Sequence, residues 1–450
     1  MLKVRSSDPF VYLCPAVMET TQKNHKPTIR AWAMFDWANS AYNLVITSTI
    51  FPAYYTIITY TEENKDQVDF FGIKVVNTAL ANFSLSFAYL LMALALPLLS
   101  AIADVKGNRK TFMKGFTYMG AFACMGLFFF KLETLEWGII CSTLAAMGYV
   151  GGILFNNSYL PQIASTDQQN LISAQGFAYG YIGSVILQVI CFAFVLRPDW
   201  FGIEDASLPA RLSFLLVGLW WMLFAQIPFK RLPENVNTGK SIDRKIFKKA
   251  FVELKQVYNR LKKVPEIKRF LPAFFFYAMG VQTVMIVAAA FGEKVLHLGA
   301  PKLIATILII QLVAIGGAYL MSLLGRLIGN IKVLALVVAV WILICISAFY
   351  LQTETQFYIL AAVVGLVMGG IQSLSRSTYS KMIPVNEDDT ASFFSFYDVT
   401  EKIAIVIGLF AFALIEQLSN NIRYSALSLS VYFIIALVLL LLSQRIPKKI

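Results

Sequence analysis

Charge is scarce in this 450-residue chain. Only 14% of its residues are Asp, Glu, Lys or Arg, whereas 58% are hydrophobic and the mean hydropathy is +0.66. A soluble domain carries about 25% charged residues, so an ordinary water-soluble fold is excluded. Histidine is scarcer still: His25 and His297 fall in an N-terminal tail and a loop. That leaves His-based catalysis and metal ligation almost nothing to work with, and no metal or cofactor is expected. The five cysteines (Cys14, Cys124, Cys141, Cys191, Cys345) are scattered singly. Without CxxC or Cys/His spacing they suggest neither a disulfide framework nor a zinc site. A Walker sequence is also missing, which disfavours ATP-driven transport by this chain alone. No nucleophile or His/Asp pair stands near a membrane interface, so an acyl or phosphate transferase lacks its chemistry. Finally, Phe10 to Val17 is short, broken by Pro15 and lacks a small-x-small cleavage site, and Leu13 before Cys14 does not fit lipoprotein processing. A signal peptide is therefore not expected, and Met18 offers an alternative start that would leave residues 1–17 untranslated.

What the chain has in abundance is long apolar runs. Twelve are long enough to cross a bilayer: 32–59, 77–102, 111–131, 137–160, 172–196, 211–229, 270–291, 303–325, 332–351, 357–383, 391–416 and 424–443. Between them the basic residues alternate. One set of loops holds the tail basics, Lys106, Arg109, Lys110, Lys114, the long middle loop, Arg326, Lys332 and Arg445 to Lys449. The other holds only Lys65, Lys74, Lys131, Arg197, Arg211, Lys294, Lys302 and Arg423. The positive-inside rule puts both termini in the cytoplasm, and it explains the net charge of +12 better than nucleic-acid binding does.

This predicts an all-α polytopic membrane protein with twelve transmembrane helices in two six-helix halves. Residues 1–31 form a cytoplasmic tail, 32–229 the first half, 230–269 a basic linker, and 270–450 the second half with a short tail. In the linker Ile242, Ile246, Phe247, Ala250, Phe251, Leu254, Val257, Tyr258 and Leu261 recur at helical spacing, with Ser241 as a cap and Pro265 as a limit. Arg244, Lys245, Lys248, Lys249, Lys255, Lys262 and Lys263 decorate it, the pattern of an interfacial helix on an anionic inner leaflet. A repeat supports the division. Residues 99–110 align without gaps to 321–332, matching Ser100, Gly107, Asn108 and Lys110 to Ser322, Gly329, Asn330 and Lys332. Two parallel six-helix halves are the architecture of major facilitator transporters.

Polar residues inside the spans mark the candidate site. Asp36, Asn39, Asn43 and Thr47 recur at i, i+3, i+7 and i+11 and form one polar stripe. A carboxylate costs ~2.5–3.5 kcal/mol in a spanning helix and so faces a protein interior or watery cavity. Near the tenth helix's inner end Gln372, Ser375, Arg376 and Tyr379 share a face, and the eleventh carries Asp398, Glu401 and Lys402. Asp398 and Lys402 are four apart and can pair directly. Three acids (Asp36, Asp398, Glu401) thus oppose two bases (Arg376, Lys402), and the excess acid can carry a proton. A static ion network pinning helices together is the alternative. Asn156, Asn157, Gln175, Tyr179, Tyr277, Gln282 and Thr283 add neutral polar groups, while Gly176, Gly180, Gly183, Gly365 and Gly369 offer close-packing faces.

Several of these stretches resemble one family. Phe-Asp-Trp-Ala-Asn-Ser-Ala-Tyr at 35–42, the glycine-rich 173–183, Gly-Gly-Ile-Gln-Ser-Leu-Ser-Arg-Ser at 369–377 and 393–402 resemble the vacuole-effluxer-like family of the major facilitator superfamily. Asp104, Gly107, Arg109 and Lys110 resemble the superfamily's cytoplasmic loop motif, with Ser100 where glycine is usual. Gly107 permits a tight turn, and Asp104 can accept N–H groups at a neighbouring helix N-terminus. In the superfamily this loop latches the two halves. The second copy has Arg326 in place of the acid and Ile331 in place of Arg109, which argues against a symmetric latch.

The resemblance implies export of small solutes, with amino acids the best-known cargo of the fungal relative. A zwitterion fits the side chains: Arg376 for a carboxylate, Asp36 for an ammonium, and Tyr42, Tyr379 and Tyr397 around the remainder. Sugars, organic acids or a non-transporting sensor or scaffold remain open readings. The expected setting is a bacterial inner membrane, as a monomer with anionic lipid beneath the linker and no nucleic-acid partner.

Overall fold

A computed structural model describes residues 23–60, 62, 67–234, 244–384, 389–419 and 421–443. The tail through residue 22 with Cys14, Lys65, the linker start with Ser241 and Ile242, and the basic residues 445–449 lie outside the described residues.

The chain is almost entirely helical and has the twelve-helix, two-repeat major facilitator fold. Its helices are α1 (Lys26–Ala41), α2 (Phe51–Thr59), α3 (Asn77–Lys106), α4 (Arg109–Gly126), α5 (Leu135–Asn157), α6 (Leu160–Ile163), α7 (Gln169–Leu196) and α8 (Leu208–Arg231). There follow α9 (Arg244–Lys263), α10 (Pro265–Leu296), α11 (Ala300–Ile328), α12 (Asn330–Phe349), α13 (Glu354–Met382), α14 (Thr390–Ser419) and α15 (Ile422–Ser443). Among the described residues, ten helices are long and apolar enough to cross a membrane by length and composition alone. The two further spans are the α1–α2 segment and α14. Both carry the polar residues of the site, so the features that mark them for function lower their apolar signal.

Local chemistry explains the segment ends. Gly107 (φ +64°) closes α3 in the left-handed region that glycine adopts without strain, its N–H bonding back to the carbonyls of Ala103 and Asp104. Thr353 and Gln356 form a reciprocal cap at the start of α13. The first span is not one uniform helix. From Tyr42 to Ile50 it widens into a π-helix before Pro52, whose ring cannot accept the ordinary α-helical approach of the preceding turn. Ser48 Oγ donates to the Asn43 carbonyl at 2.9 Å and Thr49 Oγ1 to that of Leu44 at 2.8 Å, five residues back in each case.

One element departs from the all-helical expectation. Gln67–Phe70 (β1) and Ile73–Val76 (β2) pair antiparallel, turning through Phe71 and Gly72, both at positive φ. Asp69 Oδ1 accepts from the Gly72 N–H at 2.7 Å and stands where Asn or Asp usually supports such turns.

The apolar core falls in two large clusters, with a small third one between α3 and the linker helix. One is built from Ile29 through Leu232 with Ala391, the other from Val257 through Leu440 with Tyr181. The bundles meet through α3 against α14 and α7 against α11, the same contact with the halves exchanged. Outside, Phe83, Phe87, Leu90 and Leu94 of α3 stand exposed at i, i+4, i+7 and i+11, an apolar stripe suited to lipid. The alternation of helices brings the start of α1, the α3–α4 and α11–α12 turns, α9 and the end of α15 to one side, here called the terminal face.

Candidate functional site

Between the halves lies a cavity of about 150 Å³. That is room for about ten waters or one small polar solute. Its floor is Arg376, placed by α13 and only 3% exposed. The guanidinium makes four hydrogen bonds, all to the opposite half. Nη1 donates to Asp36 Oδ2 at 2.9 Å and Asn157 Oδ1 at 3.2 Å. Nε donates to Ser173 Oγ at 3.0 Å, and Nη2 to the Ser173 carbonyl at 2.8 Å. The Trp32 and Phe177 rings lie 4.6 and 4.1 Å from its central carbon, which adds cation–π attraction to the ion pair. Asn156 Nδ2 reaches Asp36 Oδ1 at 3.4 Å, while Trp32 Nε1 donates to the Asn156 carbonyl at 2.8 Å.

Glycine makes this approach possible. A methyl group at Gly176 would strike Asp36 and stand 2.7 Å from Arg376 Nη2, and one at Gly180 would stand 2.5 Å from Ser40 Oγ. The close-packing faces of α7 therefore serve to seat α1 and the arginine. Gly365 and Gly369 play the same part between α13 and α11, against the carbonyls of Ile310 and Ala314.

A second charged group forms the wall. Lys402 Nζ binds Glu401 Oε2 at 2.8 Å, and Gln282 Nε2 donates to Glu401 Oε1 at 3.0 Å. The expected pairing of Lys402 with Asp398 is not made. The adjacent Glu401 takes the ammonium, which also lies 5.6 Å from the Tyr89 ring. Asp398 is buried, and its Oδ2 has no hydrogen-bond partner among the described residues.

Asp36, Asn43, Asn157, Tyr277, Gln282, Gln372, Ser375, Arg376, Tyr397, Asp398, Glu401 and Lys402 all border the cavity. The remaining candidates do not. Asn156 stands behind Asp36, and Tyr179 packs edge-on against Trp37. Tyr42 is spent between Tyr149 and Trp221, and Tyr379 donates to the Phe393 carbonyl at 2.6 Å among aromatic neighbours. The stripe on the first span is likewise broken. Asn39 turns toward Gly152 with neither amide atom partnered among the described residues, and Thr47 lies within the widened turns, which shift the helical register. Ser40 faces the cavity instead. Residues passed over by sequence reasoning include Ser40, Tyr89, Tyr149 and Phe177. Only Ser40 carried a usable signal, one turn after Asp36.

The terminal face is sealed. Asp104 pairs with Arg109 and accepts from both the Ser392 N–H and Oγ at 2.8 Å, at the N-terminus of α14 in the other half. Gly107 supplies the turn between them. The second repeat also bridges the halves, but through different groups, so the two latches are not symmetric. Asn330 and Asn170 exchange hydrogen bonds at 2.6 and 2.9 Å, and Asn330 Nδ2 reaches Thr378 Oγ1 at 2.9 Å. Asn330 follows Asn108 by 222 residues, and Ser392 follows Asn170 by the same 222. An uncharged amide pair thus occupies the place that the carboxylate holds in the first repeat. Closer to the cavity, Ser173 Oγ donates to the Ser373 carbonyl at 2.8 Å and Tyr181 Oη to Gln372 Oε1 at 2.6 Å.

The family pattern described as vacuole effluxer Atg22 like matches residues 24–446. An uncharacterised MFS-type transporter of Bacillus subtilis, YxiO, is 29% identical over 91% of this chain and 93% of its own length. Autophagy-related protein 22 of Cryptococcus neoformans is 29% identical over 59% of this chain and 48% of its own, so the match spans about half of that relative. Among solved structures, a double-tryptophan mutant of XylE superposes with a TM-score of 0.70 at 13% identity, covering 93% of this chain and 94% of that one. That likeness is one of fold.

Proposed function

This chain belongs to the vacuole effluxer Atg22-like family of major facilitator transporters, and from that premise we propose that it is a secondary transporter of zwitterionic amino acids. The observation that carries the reading is the Arg376–Asp36 pair, joining opposite halves at the cavity floor. Breaking such a pair by removing one partner costs about 3–5 kcal/mol, because a buried charge is left alone. A zwitterion avoids this. Its carboxylate takes the guanidinium as its ammonium takes Asp36, so both charges stay compensated while the halves are freed from each other. Binding is thereby coupled to rocking of the halves about a midplane site.

The second charged group supports proton coupling. Asp36, Asp398 and Glu401 outnumber Arg376 and Lys402 by one acid, and Asp398 is the carboxylate left with an unpartnered oxygen. A proton carried on Asp398 balances the interior and links the cycle to a pH gradient. The alternation of basic loops, with a Bacillus relative matched over nearly its full length, supports a bacterial inner membrane with both termini cytoplasmic. The sealed terminal face then makes the described state outward-oriented, and membership of an effluxer-like family supports export as the direction of net transport. We take the functional unit to be a monomer, since the cavity is lined within one chain.

Proteoliposome uptake across a panel of amino acids, sugars and organic acids, with and without a pH gradient, tests this reading. Amino acids should be taken up by the parent and lost with Arg376→Gln, and the gradient should change the rate. Sugar uptake that survives the substitution while amino acids are ignored would overturn it.

A further inference from the structure

The linker helix α9 carries two stripes offset by one residue. Ala250, Leu254, Val257 and Leu261 recur at i, i+4, i+7 and i+11, and so do Phe251, Lys255, Tyr258 and Lys262. The first stripe is spent on protein. Ala250 packs with Ala101 and Ile102 of α3, with Leu254 beside them, whereas Val257 and Leu261 join the core of the second half. Arg260 reinforces the second attachment, since its Nη2 binds Asp389 Oδ2 at 2.5 Å just before α14. Tyr258 stacks on Phe396 of α14 with ring centres 6.0 Å apart. One helix is therefore attached at its beginning to the first half and at its end to the second.

That attachment has a mechanical consequence. The 20 residues of α9 contain neither glycine nor proline, so it acts as a stiff rod of about 30 Å. When α3 and α14 move apart at the terminal face, one of its two seats must be lost.

Apart from the stacking of Tyr258 on Phe396, the second stripe is not spent on protein. Phe251 and Tyr258 are exposed, as are Lys255 and Lys262, with Lys249 and Lys263 exposed nearby. The Lys262 ammonium lies 4.3 Å from the Tyr258 ring centre. Aromatic rings interleaved with lysines, at the end of a membrane-spanning bundle, suit the headgroup layer of an anionic leaflet.

We propose that this stripe binds anionic lipid headgroups and that the bound lipid holds the terminal face closed. The sign follows from preorganisation. Seating the first stripe on both halves fixes the roll of the helix, so its aromatics and lysines point outward together. Loss of either seat frees the roll, so the stripe as a whole is no longer held toward the headgroups. The inference concerns gating and holds whatever the cargo proves to be.

The test uses the full chain, without its native cysteines, in nanodiscs of phosphatidylcholine alone or with one third phosphatidylglycerol. Spin labels at Thr111→Cys and Lys332→Cys, exposed at the starts of α4 and α12, report the separation of the halves. Phosphatidylglycerol should raise the ratio of the short-distance to the long-distance population at least about fivefold. Replacing Lys249, Lys255, Lys262 and Lys263 with Gln should remove that response while leaving the Arg260–Asp389 pair in place. Arg260→Gln should weaken the response although the lysines are intact, and Arg260→Asp with Asp389→Arg should restore it. Equal populations in the two lipids, or a shift toward the long distance with phosphatidylglycerol, would overturn the proposal. So would an undiminished response in the lysine variant. None of these readouts needs transport, so failure of the amino-acid reading would register separately.

Discussion

Replacing Asp104 by Asn exchanges one carboxylate oxygen for an amide and barely changes the side-chain volume, yet it should unlatch the terminal face. Two charge-assisted hydrogen bonds reach Asp104 from Ser392, through the backbone N–H and the hydroxyl. Each is worth about 1.5–3 kcal/mol, and both cross between the halves, so both are lost when the face opens. The substituted side chain would keep a single carbonyl oxygen, which Arg109 and Ser392 must then share. One neutral bond of about 1 kcal/mol is retained at best. The closed state therefore loses at least about 2 kcal/mol relative to the open one, a change of at least about 30-fold in the equilibrium between them. Arg109 is 1% exposed and keeps an oxygen partner within its own half, so the protein should still fold, with a lower Tm. The label pair at Thr111→Cys and Lys332→Cys measures the effect, with Asp199→Asn on the opposite face as a control. A distance distribution no more altered by Asp104→Asn than by the control would refute the latch.

The neutral latch is weaker, so Asn330→Ala should shift the same distribution in the same direction by about 1–2 kcal/mol, read with the same labels. Gly176→Ala should lower amino-acid uptake at least about tenfold in folded protein, because its methyl displaces Asp36 and Arg376; uptake near the parent rate would show that the pair does not contact cargo. Gly316→Ala meets open space in the middle of α11 and should leave uptake unchanged while raising Tm slightly, since glycine costs a helix about 0.5–1 kcal/mol. Asp398→Asn should abolish the dependence of uptake on a pH gradient while substrate-exchange rates are kept; a retained gradient dependence would assign the proton elsewhere.

Much of the architecture is legible in the sequence, because burial in lipid acts on each segment separately. A span must be apolar for about 20 residues whatever its neighbours do, and the repeat at 99–110 and 321–332 is a matter of chain identity. The structured helices mostly run a few residues beyond the apolar runs, since the flanking turns that hold Arg109, Lys230 and Arg326 are helical but polar. Periodicity likewise gives α9, with its stripes read directly off the spacing.

Chain-local rules could not decide which partner each polar group takes. Spacing allows Lys402 to reach Asp398 or Glu401, and the surroundings select Glu401. Regular α-helical counting places Asn39 and Thr47 on the stripe with Asp36, and both are turned aside, Thr47 within the widened turns before Pro52. The loss of the acid at Arg326 argued only against a symmetric latch and left any second bridge unspecified. The amide of Asn330 finds Asn170, 160 residues away in the chain, because packing α7 against α11 makes them neighbours. For the apolar stripe of α9, the sequence shows only that it must be covered. Lipid and protein satisfy that demand equally well in the chain, and the docking of α3 and α14 decides it for Ala250, Val257 and Leu261. The sequence by itself thus determined the spans, the division into halves and the inventory of buried charge, since each follows from local periodicity and the cost of polar groups in lipid. Only the tertiary structure decided that Arg376 and Asp36, 340 residues apart, spend their charges on each other, because Gly176 leaves the space in which they meet.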